Sequence, residues 1–332
     1  MAWARVSTSA CLVKRTSYAR RVSRSTKVAG ATAIATVLLL YAIIQHGRTS
    51  RAERALHELP KTARAVLRID AAALADSESA RALFDWFVPA ERLSEIEVRC
   101  GLVPLTALDD ATVWVGGPEG EPFQSMGLLL RGRTADAETL AECYRTLVEA
   151  RGGAIDRVAT PTGPLLRSRD GQSALAQVDD RTVVTGSTAT VAEFMAVERG
   201  VVPPLVEETR FRDIWSRVSV GAAIVGVFVA PPRWQSAFER VGAIGDRASA
   251  LAGVEGLGLT TRAKTPTALT VVLEVTDSEV ARRDAALMEV WLEAPPDTVE
   301  PYLVDLARSA QIHVDGALIT LTLDVSSLPK RL

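Results

Sequence analysis

The residues of this 332-residue chain with side chains suited to chemistry are few: three histidines, three cysteines, and the adjacent carboxylates Asp109-Asp110, Asp179-Asp180 and Glu207-Glu208. His46 and His57 bracket the end of an apolar run, and His313 alternates with Ile312 and Val314, as a solvent-facing strand position does. No Cys/His cluster has metal-ligand spacing, which argues against structural zinc. A Ser–His–Asp triad would have to use His313, and no G-x-S-x-G elbow accompanies it. The glycine-rich Gly253–Gly258 leads into a strand, whereas a dinucleotide loop needs a helix N-terminus to hold its pyrophosphate. Neighbouring carboxylates in a strand point to opposite faces, so the adjacent pairs cannot share one acid–base task. The chemistry expected is therefore none: no catalytic residue, no cofactor, no metal.

Aromatics offer a binding reading instead. Trp86, Trp215 and Trp291 fall on apolar helical faces and read as core. Trp234 follows Pro231-Pro232-Arg233 and is the candidate for an exposed aromatic at a binding surface.

The charge distribution sets the placement of these residues. Residues 1–47 hold no Asp or Glu, and the first acid is Glu53, although the net charge of the whole chain is only −2. The body that follows is acidic, which argues against nucleic acid as a partner, because that affinity rests on Lys and Arg neutralising phosphates. Residues 28–46, VAGATAIATVLLLYAIIQH, form the longest apolar run. Nineteen helical residues reach about 28 Å, close to the hydrocarbon thickness of a bilayer. Arg15, Arg20, Arg21, Arg24 and Lys27 crowd its N-terminal side, so the positive-inside bias places residues 1–27 in the cytoplasm as a basic tail. The expected order is tail 1–27, transmembrane helix 28–46, a short juxtamembrane helix or linker 47–60, and a body outside the cytoplasm, in the periplasm of a bacterium. A cleaved signal peptide is one alternative, although no A-x-A site follows the run. A mitochondrial transit peptide, with the protein in the mitochondrial inner membrane, is another, because residues 1–27 are rich in Arg and Ser/Thr and free of acid.

On that topology Cys11 stays on the reducing side, and Cys100 and Cys143 share the oxidising one. A Cys100–Cys143 bridge would close about 43 residues, worth roughly 4 kcal/mol in the chain-entropy model. The alternative is two buried free thiols.

The elements that must position these residues read as α+β. Alternation predicts strands at Arg64–Asp70, 112–115, 126–131, 163–168, 173–178, 181–186, 254–262 and 267–275. Gly221–Ala230 is a continuous apolar run suited to a buried strand, and a hairpin over 311–325 turns at Asp315-Gly316. Helical periodicity predicts helices over 76–88, 136–150, 211–218, 233–251, 277–293 and 298–309, and a capping box at Thr190 and Glu193 predicts one ending at Gly200. Residues 134–150 echo 276–294, and 178–186 echo 314–322, in the same order. The expected body is thus two similar halves, 61–202 and 203–326, with a C-terminal tail 327–332. Together they would form a mainly antiparallel sheet with helices packed on one face.

Leu59-Pro60, Ala65–Asp70, Cys100-Gly101 with Pro104-Leu105, Cys143 and Pro231–Trp234 carry a resemblance over most of 55–326. With them the chain resembles a family of uncharacterised bacterial single-pass envelope proteins with a duplicated α+β ectodomain. The resemblance implies no activity. The expected function is display of a domain that binds a protein or envelope component, and the alternative is a carrier of lipid or another hydrophobic ligand.

Overall fold

The structure, a computed structural model, describes residues 53–75, 80–81, 84–85, 88–117, 125–160, 163–230, 253–262, 268–293 and 301–327. The tail, the span expected at 28–46, the helix expected at 233–251 and Trp234 lie outside the described residues. Among the described residues no helix is long and apolar enough to cross a membrane.

Among the described residues one antiparallel sheet of 12 strands organises the body. Strands β1 (Ala63–Asp70), β2 (Leu108–Gly116) and β3 (Ser125–Gly132) form a meander. Strands β4 (Ile155–Thr160), β5 (Gly163–Ser168), β6 (Ala174–Gln177) and β7 (Thr182–Gly186) then return, so that β7 pairs with β3. The second half follows the same plan. Strands β8 (Ala222–Val229), β9 (Val254–Arg262) and β10 (Ala268–Val275) meander, and the hairpin of β11 (Gln311–Asp315) and β12 (Leu318–Asp324) returns with β12 against β10. β1 and β8 pair antiparallel at the centre, so both halves share the sheet. Gly316 takes φ 59° in the hairpin turn after Asp315, a left-handed conformation in which a Cβ would be strained.

Helices cover both faces, which corrects the expectation of one. Along β7, Val184 packs toward α6 (Thr188–Glu198), while Val183 packs toward α5 (Ala137–Ala150). Along β10, Val272 lies under α7 (Thr209–Val218), and Leu273 and Val275 lie under α8 (Ser278–Glu293). The reason is legible in β8, whose AAIVGVFV is buried at nearly every position: a strand without a polar face needs cover on both sides. The helices α5 and α8 carry the echoed segments and occupy equivalent places, each following the third strand of its half.

The larger core lies on the face of α6 and α7. Trp114 packs against Phe194, ring centroids 5.7 Å apart, and Phe211 stacks on Trp215 at 6.2 Å. Glycines make room for this packing. A Cβ at Gly127 would stand 2.1 Å from the Trp114 ring, and one at Gly256 would stand 2.3 Å from Ile214 Cδ1 of α7. The glycine-rich Gly253–Gly258 segment thus seats a helix on a strand.

Of the helix or linker expected at 47–60, the described part is helical and packs into the body. Residues 53–58 form a helix, α1, and Ala55, Leu56 and Leu59 are fully buried in the main core. Leu205 N–H donates to the Leu59 carbonyl at 2.7 Å, and Lys61 N–H donates to the Pro203 carbonyl at 3.1 Å. The apolar spacing Ala55, Leu56, Leu59 gives α1 one face that the core takes. Near α6, Ser187 and not Thr190 is the N-cap, because its side chain accepts from Thr190 N–H; Glu193 instead accepts from Thr62 Oγ1 at 2.7 Å.

Elements absent from the sequence reading are α2 (Ala71–Ala75), α3 (Ala90–Cys100), α4 (Pro104–Ala107) and β4. None of them carries a long buried stripe: α3 has no buried residue, and β4 is half-buried at best.

Candidate functional site

Of the described residues first singled out for chemistry, the structure joins Cys100 and Cys143, while the histidines and the carboxylate pairs lie on separate elements. His57 is exposed on α1 and His313 is exposed on the edge strand β11; His46 and Trp86 lie outside the described residues. Trp215 is buried in the main core, and Trp291 lies on α8. Asp109 and Asp110 diverge: Asp109 meets Arg133 at 3.1 Å on the rim, while Asp110 points into the interior. Asp179 accepts from Arg181 N–H at 2.8 Å in the turn before β7. Among the described residues no group of three or more His, Cys, Asp or Glu could hold a metal ion.

Asp110 belongs to a buried network that the sequence reading did not find. Cross-strand register sets Asp70 beside Asp110 and Asp110 beside Arg131, with Arg68 one pleat along β1. The Arg68 guanidinium lies 3.3 Å from Asp110 and 3.8 Å from Asp70. Arg131 donates to Asp110 Oδ1 at 2.8 Å and pairs with Glu58 of α1. Burial holds the Glu58 carboxyl above the ordinary carboxylate range against the pull of Arg131, and Glu198 adds repulsion. Burial pulls the Arg131 guanidinium down, but Asp110 and Glu58 together push it up and win. Asp70 also accepts from Ala73 N–H at 2.9 Å and so starts α2. The network fastens α1, three strands and α2 together.

Two surface grooves are built alike, one in each half, between the crossover helix and the strands beside an edge. The first, of about 580 Å³, lies between α5 and β4, β5 and β6. Its floor is Ile155, Leu166 and Leu175; Arg157 and Gln177 border it from the sheet, and Glu138, Glu142 and Arg145 border it from α5. Among the described residues the strand β4 beside it pairs only with β5, so its outer side is a sheet edge. Such an edge is a template for an added strand. The second groove, of about 330 Å³, lies between α8, α9 (Pro301–Arg308) and β11 and includes Leu292, Ile312, Glu289 and Arg308. Both grooves are open and mix apolar floors with charged rims, while the interior of the sheet's main face is filled by Trp114, Phe194, Phe211 and Trp215. No signal in the sequence marked the first groove, because β4 was unread.

Cys100 ends α3 and Cys143 lies in α5; their Cα atoms are 5.0 Å apart and their sulfurs are at bonding distance. Both line an open groove of about 450 Å³ with Arg99, Asp136, Thr139 and Thr146.

No known protein family matches the chain, and no curated protein does. Among solved structures the chain is similar to TP0453 in its crystal form III, at 10% identity and a TM-score of 0.47, over 82% of this chain and 95% of that one. Crystal form IV of TP0453 matches at 11% identity and a TM-score of 0.43, over 82% and 94%.

Proposed function

We propose that this chain is a non-enzymatic membrane-anchored envelope protein whose body, outside the cytoplasm, binds a partner protein or envelope component through the groove between α5 and β4–β6. The membrane segment at 28–46 and its basic flank support the placement. The observation that carries the binding reading is the groove itself: an apolar floor of Ile155, Leu166 and Leu175, a rim of both charge signs, and an open strand edge alongside. Those are the features a polypeptide segment uses, main chain to the edge and side chains to the floor. Restriction to the membrane surface would raise the body's effective concentration toward such a partner. The shared strand order of the two halves supports an origin by duplication.

A lipid or hydrophobic-ligand carrier is the second reading. Its support is volume, since about 580 Å³ falls in the range of small-molecule sites. Against it stand the charged rim and the filled interior, which among the described residues give an acyl chain no enclosed apolar space.

A photo-cross-linking amino acid at Gln177, exposed beside the groove, separates the two. Partner binding predicts a discrete protein-sized adduct in cells that disappears when Leu166→Arg blocks the floor. Lipid-sized adducts would favour the carrier, and an adduct unaffected by Leu166→Arg would remove the groove from the account.

A further inference from the structure

We propose that the Cys100–Cys143 bridge is an exchangeable clamp: a dithiol reductant can open it in the folded protein, and opening it releases α3 from α5 while the sheet stays folded.

The first support is how little else holds α3. None of the residues Ala90–Cys100 is buried. Leu93, partly buried, packs against an apolar cluster that includes Leu74 and Phe84. Pro89 precedes the helix without a side-chain cap. The ion pairs Arg92–Glu95 and Arg99–Glu95 lie within the helix, and Arg151 at the C-terminal cap of α5 pairs with Glu95 of α3 at 3.4 Å from an exposed position. Exposed pairs of that kind contribute little. A helix of 11 residues is marginal in water by itself. α5, by contrast, is seated by Ala137 and Leu140 in a cluster that includes Leu175 and Val183 and does not include α3. The link between the two helices is therefore carried mainly by the Cys100–Cys143 bond, beside the exposed Arg151–Glu95 pair.

The second support is access. The groove between α3 and α5 is lined by both cysteines. Cys100 is half-buried and Cys143 is nearly buried on the inner face of α5, so an incoming thiolate reaches Cys100 Sγ first. The attack forms a mixed disulfide at Cys100, breaks the Cys100–Cys143 bond, and releases Cys143 as a thiolate that takes a proton from water. The second thiol of the reductant, as its thiolate, then attacks the mixed disulfide. Cys100 leaves and is protonated, and the reductant closes to its own disulfide, having passed two electrons to the cysteines. Freed from α5, α3 uncovers Cys143 and Thr146 on that helix. The two redox states thus present different surfaces, independently of the groove at β4–β6.

The test uses the full chain in detergent, with dithiothreitol as the dithiol and amide hydrogen exchange as the readout. Before reduction only Cys11 takes up an alkylating reagent; after native-state reduction all three cysteines do. Amides of residues 90–101 then exchange on the order of 100-fold faster, while those of β2, β3 and β7 change less than about twofold. The variant C100S/C143S gives the reduced pattern without reductant. The proposal is overturned by labelling of Cys100 or Cys143 before reduction, by a bridge that resists dithiothreitol until the protein is denatured, by unchanged exchange at 90–101, or by loss of protection that spreads into the sheet.

Discussion

Replacing Asp110 by Asn should be among the most damaging conservative changes in the molecule. The substitution keeps the shape and one acceptor oxygen but removes the charge. Asp110 is 3% exposed and sits between Arg68 at 3.3 Å and Arg131 at 2.8 Å. At an effective dielectric of about 20, each contact at that separation corresponds to about 5 kcal/mol of Coulomb attraction, much of which offsets desolvation. Without the carboxylate charge, buried Arg68 keeps, among the described residues, only the more distant Asp70, at 3.8 Å, and half-buried Arg131 keeps only Glu58. The expected loss is about 3–5 kcal/mol, the range for breaking a buried pair by removing one partner. Urea unfolding of the full chain in detergent, followed by the fluorescence of buried Trp114 and Trp215, measures it. Changing Arg68→Met together with Asp110→Leu removes charges of both signs and should recover a large part of the loss. A loss below about 1 kcal/mol for Asp110→Asn would mean that the pairs behave like exposed ones and that the network does not fasten the sheet.

Three further outcomes follow from the packing and titration of the body. Gly127→Ala forces a methyl into the Trp114 ring and should cost about 1–3 kcal/mol or more, with partial recovery in the double variant with Trp114→Phe; equal loss in both would refute the steric cause. Leu59→Ala should cost about 2–5 kcal/mol in the same urea titration, where a free linker position would show almost nothing. Burial raises the Glu274 carboxyl above its ordinary range against the pull of Arg210, with Glu255 adding repulsion. The folded chain therefore binds this proton more tightly than the unfolded one, so the group's contribution to stability falls as pH rises between the ordinary and the raised value. Glu274→Gln should stabilise the protein at pH 7, and a pH series of urea midpoints should show the advantage vanish below the ordinary carboxylate range.

Much of the sheet was readable because its strands carry clear patterns. ARAVLRID alternates, and GAAIVGVFVA is apolar throughout; the second pattern already implied cover on both faces, which the one-face expectation overlooked. The echoed helices were readable for the same reason, since α5 and α8 bury regular stripes. What escaped was held by something other than periodicity. α3 buries no residue and is tied through Cys100, so no apolar stripe announces it. β4 is an edge strand with Asp156 and Arg157 inside it, and it hid the groove that it borders. The ion-pair network escaped because register, which is not local, sets Asp110 beside Arg131 across 21 positions of chain. Of the adjacent carboxylates, Asp109 and Asp110 were separated by strand geometry as expected, but the partner that each would find was not readable from spacing alone.

The placement of the body outside the cytoplasm underlies both the partner reading and the clamp, and reporter fusions test it directly. Alkaline phosphatase and a fluorescent protein are fused in turn after residue 27 and after residue 332. The account predicts fluorescence without phosphatase activity from the first junction and phosphatase activity without fluorescence from the second. Fluorescence from the second junction would put the body in the cytoplasm and contradict the account.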